Sequence, residues 1–243
     1  MCLQFQYVIT THIVELIDSS VCNIVISGVT VLRQCRNAPH PSCGETMKTF
    51  FFFGDSLTLG VNDRTMLGWT GRFAATLDLP VPPTTFYNLG VRKQTSLAVL
   101  ARWKEEVLRR ELPESDVRLL FNVGVVDMAA PKGEPVLSVE ESGKALDKLL
   151  KEATHAYKKQ VIRVLSPFPV VQEAHNERIA TLNAHYAKVC AAKGIEYIDI
   201  YSILVENQAY MNDLHDGIHP TGNGCAIIAE FLQQAESIKK WIA

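Results

Sequence analysis

The chain lacks the patterns that would let its cysteines, its charges or its apolar runs reveal its chemistry. Six cysteines stand at positions 2, 22, 35, 43, 190 and 225, and no two have C-x-x-C spacing. A structural zinc site needs paired ligands, so none is expected. Four of the six crowd into the first 43 residues and the other two fall in helical-looking segments. That distribution reads as buried free thiols in a reducing compartment rather than a disulfide framework. No stretch reaches the ~18 apolar residues of a membrane span. No run of one charge sign is long enough for a tail, and the net charge is −2, which argues against the basic face of a nucleic-acid binder. Val21–Leu32 has the length of a signal-peptide core, but Glu15 and Asp18 precede it where such a peptide carries positive charge. Cytoplasmic residence is therefore expected. Neither G-x-x-x-x-G-K-[ST] nor G-x-G-x-x-G occurs, which removes the usual phosphate-cradling loops. No cofactor and no metal are expected.

What is present begins at Met47. Residues 1–46 show weak periodicity and end in a Pro/Cys/Gly/Asn-rich stretch. They read as a poorly ordered extension or as upstream sequence ahead of a start at Met47, with a docking or targeting segment as the alternative. Beyond them, strand-like and helix-like segments alternate. Strands are expected over Thr49–Phe53, Thr85–Leu89, Val117–Val123, Val161–Leu165 and Ile195–Ile200. Helices are expected over Leu67–Leu77, Ser96–Glu111, Val139–Tyr157, Glu173–Lys193 and from the Thr221 cap through Trp241. The four successive phenylalanines Phe50–Phe53 suit a strand buried on both faces. Strands separated by helices of this length imply a mainly parallel five-stranded sheet inside a three-layer α/β/α sandwich, formed by residues 47–243.

Ligands of such sheets sit beyond the carboxyl ends of the strands. The loops expected there carry Gly54-Asp55-Ser56, Gly90-Val91, Gly124 to Asp127, and Asp216-Gly217-Ile218-His219-Pro220-Thr221. A serine hydroxyl becomes a useful nucleophile only when a base takes its proton, and a histidine base needs a carboxylate to fix its tautomer. Ser56 lies in a tight strand-to-helix turn after Gly54, close to N–H groups that suit a developing oxyanion. His219 lies three residues after Asp216, with Asp213 as the other available carboxylate. Asp55 reads as structural support for the turn. His215 reads as exposed, and His155, His175 and His185 as helix-surface residues. Trp69, Trp103 and Trp241 read as core. Phe168-Pro169-Val170 either line an acyl pocket or cap the core.

These blocks resemble the GDSL, or SGNH, hydrolases. Gly54-Asp55-Ser56-Leu57 looks like their first block and Asp216-x-x-His219-Pro220-Thr221 like their last. Asn88-Leu89-Gly90 is similar to the second block and Gly124-Val125-Val126-Asp127 to the third, normally Gly-x-Asn-Asp. The order is right, and the resemblance covers nearly all of 47–243. It implies a flavodoxin-like SGNH fold and a cofactor-free esterase or acylhydrolase. Ser56 is then the nucleophile, His219 the base and Asp216 its orienting carboxylate, with Asp127 in support. It also implies an oxyanion hole built from the Ser56 and Gly90 N–H groups.

The third block departs from the family pattern. Val126 stands where the family has its oxyanion-hole asparagine and brings no side-chain donor. Asn122 on the same strand, and Asn62 or Arg92 in neighbouring loops, are the candidate substitutes. Gly60-Val61-Asn62-Asp63 matches Gly-x-Asn-Asp literally but follows the wrong strand. The expected partner is a small or short-acyl ester. The alternatives are an acyltransferase using the same site and a catalytically weakened binding domain. Nothing in the sequence speaks to oligomeric state.

Overall fold

The computed structural model describes residues 22–26, 29–33, 47–77 and 84–243. The chain divides into two compact units, Met1–Gly44 and Glu45–Ala243. In the first, β1 (Cys22–Ile26) and β2 (Val29–Arg33) pair antiparallel, with Cys22 opposite Arg33 and Ile26 opposite Val29. Most of the 1–46 segment, expected to be an unordered extension or upstream sequence, lies outside the described residues.

The second unit runs β3 (Lys48–Gly54), α1 (Ser56–Leu59), α2 (Gly68–Thr76), β4 (Thr84–Gly90), α3 (Ser96–Leu108), β5 (Asp116–Asn122) and α4 (Val139–Ala156). It continues through β6 (Ile162–Leu165), α5 (Glu173–Lys193), β7 (Glu196–Ile198), α6 (Tyr201–Leu204), α7 (Gln208–Asp213), α8 (Gly222–Gln234) and α9 (Glu236–Ile242). Five parallel strands form one sheet in the order β4-β3-β5-β6-β7. Helices α2, α8 and α9 cover one face, and α3, α4 and α5 cover the other, giving the three-layer sandwich.

The phenylalanine run explains both coverings. Successive side chains of a strand point to opposite faces. Phe50 and Phe52 meet Trp241 edge-on, and Phe52 also meets Trp69 of α2 and Phe73. On the opposite face Phe53 stacks on Phe121, which meets Trp103 of α3. All four phenylalanines and all three tryptophans are buried.

The topology also fixes where a site can form. The chain leaves β3 toward β4 on one side and returns to β5 on the other, so connections diverge between neighbouring strands β3 and β5. Such a switch point leaves a crevice at the carboxyl edge. Gly54 is level with Gly90 on one side and with Asn122 on the other, so the loops after β3, β4 and β5 emerge together.

Three features escaped the sequence pattern. A one-turn helix, α1, begins directly after Asp55, and two short helices, α6 and α7, fill the stretch between β7 and Asp216. The last helix is interrupted at Ala235, whose backbone is extended (φ −66°, ψ 119°). That break lets α9 turn Ile238 and Trp241 into the core, where Trp241 Nε1 donates to the Val161 carbonyl at 2.8 Å.

Candidate active site

Ser56 begins α1 in a turn with almost no spare room. Asp55 caps the helix, its Oδ1 accepting from Leu57 N at 2.8 Å. A Cβ added at Gly54 would lie 2.0 Å from Thr58 Oγ1 and 2.4 Å from the Asn122 carbonyl oxygen. One at Gly90 would lie 2.2 Å from Leu59 N and 2.8 Å from the Asp55 carbonyl oxygen. Both strand ends are therefore glycine because the Ser56 turn presses on them. Burial pushes the Asp55 carboxyl up to about 7, against the opposing pull of the Leu57 N–H.

The loop from α7 to α8 brings His219 to this turn. Ser56 Oγ and His219 Nε2 are 2.8 Å apart, and His219 Nδ1 is 2.8 Å from Asp216 Oδ2. Asp216 Oδ1 accepts from the backbone N–H of His219 at 2.7 Å and of Ile218 at 3.0 Å. Partial burial pushes the Asp216 carboxyl up, but these N–H groups and the His219 ring outweigh it and hold it at about 2. Asp213, the other carboxylate in reach by sequence, is spent on the start of α8. It accepts from Thr221 N, Thr221 Oγ1 and Gly224 N at 2.7–2.8 Å. His215 is exposed.

The groups expected around an oxyanion are placed less evenly. The Ser56 N–H makes no hydrogen bond among the described residues. Gly90 N–H donates to Asn88 Oδ1 at 3.0 Å, while Asn88 Nδ2 reaches the Thr58 carbonyl and Thr70 Oγ1. Asn122 is buried and both its amide atoms are engaged, Nδ2 with the Ser166 carbonyl and Oδ1 with Thr58 Oγ1. Asn62 turns its amide to Asp216 rather than to Ser56. Arg92 is exposed. Val126 is half-buried on the third-block turn. That turn is anchored by Asp127, which accepts from Ser96 N at 2.9 Å and from Ser142 Oγ.

A profile of the GDSL-like lipase/acylhydrolase family matches residues 52–227. The chain belongs to that family. Among curated proteins, nothing matches it. Solved structures that it resembles include LAE5, an alpha/beta hydrolase from the metagenome of Lake Arreo (19% identity, TM-score 0.64, covering 81% of this chain and 97% of that one). Another is the psychrotrophic esterase EstA of Pseudoalteromonas sp. (18%, TM-score 0.60, 80% and 98%). A third is Axe2, an acetyl-xylooligosaccharide esterase of a Geobacillus (18%, TM-score 0.62, 77% and 94%). At these identities the likeness carries the fold alone. Within this GDSL-like member, no helix among the described residues is long and apolar enough to cross a membrane. No group of three or more His, Cys, Asp or Glu among the described residues is arranged for a metal ion.

Two side chains do something the sequence did not announce. His175, expected on a helix surface, is buried, and its Nε2 meets the Val125 carbonyl at 2.8 Å. It pins the third-block turn from α5, and burial holds its pKa below the ordinary histidine value. A lone histidine in a helical pattern gives no sign of such a partner. Phe168, left open between pocket and core, is fully buried against Trp69.

Proposed function

We propose that the protein is a serine esterase that cleaves carboxylic esters of small or short-acyl substrates through an acyl-enzyme. The observation that carries this reading is the unbroken line Ser56 Oγ–His219 Nε2 and His219 Nδ1–Asp216 Oδ2, each step 2.8 Å, at the carboxyl edge of the sheet. Ser56 Oγ attacks the ester carbonyl as His219 Nε2 takes its proton. Asp216 keeps the Nδ1 proton in place and stabilises the imidazolium. His219 then passes the proton to the departing alkoxide, and the acyl group stays on Ser56. A water activated by the same base releases the acid.

Negative charge on the carbonyl oxygen is received by the Ser56 N–H and the Gly90 N–H in this reading. The Gly90 donor rests on Asn88 Oδ1 and has to be shared with the substrate. Val126 supplies only an apolar side chain, which favours slow turnover and gives a second reading, a site that binds esters without turning them over. Support for hydrolysis comes from the family and from the esterase structures that share the fold.

The test is hydrolysis of p-nitrophenyl acetate and butyrate by the wild-type protein beside Ser56→Ala. Activity lost in the variant is expected. Equal rates in both, or none in either, would hand the site to the second reading.

A further inference from the structure

Gly60-Val61-Asn62-Asp63 imitates the third family block but stands after β3, and the reaction just described leaves it unused. Its geometry has a purpose of its own. Asn62 Nδ2 lies 3.0 Å from Asp216 Oδ2, the same oxygen that faces His219 Nδ1, and 3.5 Å from the His219 carbonyl. Both neighbours are acceptors, so the amide nitrogen, not its oxygen, must face them. We propose that Asn62 is a positioning residue that holds the Asp216 carboxylate in line with His219 by donating a hydrogen bond to Asp216 Oδ2. This inference rests on the esterase reading above.

Two observations make Asn62 more than a passing surface contact. The Asp216 side chain is 43% exposed, and its Oδ1 is already held by two backbone N–H groups. Its Oδ2 has only side-chain partners, His219 Nδ1 and Asn62 Nδ2, so Asn62 is the donor that fixes this oxygen independently of the imidazole. Asn62 is also held for the task. Its backbone is left-handed (φ 73°), a conformation asparagine tolerates better than most residues. The next residue keeps it there. Buried Asp63 accepts from Thr65 N, Thr65 Oγ1, Gly68 N and the Arg72 guanidinium, so the loop is over-determined beside the unusual angle. Asn62 thus ties the loop leaving the nucleophile to the loop carrying the base, across 154 residues of sequence.

The test uses two variants of the full chain. Asn62→Gly keeps the left-handed backbone and deletes the donor. Asn62→Asp keeps the shape and replaces the donor with a second carboxylate. On p-nitrophenyl acetate, kcat of Asn62→Gly is expected to fall about tenfold with KM within twofold, since the lost bond is to a charged group and touches no substrate.

Asn62→Asp is expected to lose at least as much at neutral pH and to move the acid limb of its kcat/KM profile upward. Added negative charge beside Asp216 and His219 favours the imidazolium. The other charged or titratable groups around Asn62, namely Asp63, Arg64, Arg72 and His215, line one 350 Å³ cavity with it and are unchanged in both variants. A loosened loop would lower rates at every pH without moving the limb. A folded Asn62→Gly and a folded Asn62→Asp that both keep kcat within twofold, or an unmoved acid limb in Asn62→Asp, overturns the proposal. Ser56→Ala in the same assay separates this from failure of the esterase reading: equal rates for wild type and Ser56→Ala remove that reading, and the role of Asn62 with it.

Discussion

After β3 the chain turns through Gly54-Asp55-Ser56, and after β5 through Gly124-Val125-Val126-Asp127. The two turns flank one crevice, each contains a glycine, and each buries an aspartate, 1% exposed at Asp55 and 0% at Asp127. The aspartates work differently. Asp55 caps its own helix, whereas Asp127 reaches sideways to the start of α3 and to Ser142 of α4, whose hydroxyl meets Tyr186 of α5. The first turn ends on a hydroxyl aimed at His219, whereas the second carries Val126 ahead of its aspartate. The second turn thus has a buried polar framework without a side-chain donor at position 126.

The widest expected gap between the turns comes from Ser56→Ala. It is expected to lower ester turnover by at least about 1000-fold, measured as kcat/KM on p-nitrophenyl acetate, because nucleophile and base act as a unit. A variant that keeps its rate would erase the distinction between an armed turn and an unarmed one.

Next comes the structural half of the comparison. Asp127→Ala strips a buried partner from Ser96 N and from the Ser142–Tyr186 pair of hydroxyls. Stability is expected to fall by about 3 kcal/mol, or roughly 6–12 °C in Tm for a domain of this size. Thermal melts of the two proteins check it. A shift under about 2 °C would mean that the second turn holds without its aspartate.

Val126→Asn then asks whether the two turns can be made alike in function. Placing an amide donor at position 126, beside the oxyanion of the proposed reaction, is expected to raise kcat by about tenfold or more. An unchanged kcat in a folded variant would show that another donor already occupies that place.

The reason some of this was legible in the sequence lies in what each feature depends on. The sheet and its helices were readable because Phe50–Phe53 and the 3.6-residue spacing of Ser96–Glu111 are local patterns imposed by burial. Ser56, Asp216 and His219, which meet in the structure, were readable as candidates because short blocks carry them in order. The Ala235 break was not, since no glycine or proline marks it and the contact it permits, Trp241 to the Val161 carbonyl, spans 80 residues. The partners of His175 and Asn62 were hidden for the same reason: the Val125 carbonyl and Asp216 stand 50 and 154 residues away. Long-range hydrogen bonds leave no periodicity. Nor could composition foresee that Asn122 would spend both amide atoms inside the protein.

The smallest expected effect concerns Asp55, and it separates the cap from its charge. Burial raises the folded-state pKa of this carboxyl from 3.8 to about 7. A group raised on folding contributes stability that is fully present below the unfolded value and is lost as pH rises through the folded one. The wild-type turn should therefore weaken between about pH 4 and pH 7, as a charge is forced into a dry site. An asparagine in its place would keep an oxygen able to accept from Leu57 N without ever ionising, so the Asp55→Asn variant should gain on the wild type over that window. The expected signature in melts at pH 4 and pH 8 is a difference in Tm that moves in favour of Asp55→Asn by a few degrees, about 1 kcal/mol or more. A difference that stays constant with pH would mean that the Leu57 N–H and its neighbours satisfy the carboxylate completely. The Ser56 turn would then tolerate a buried charge.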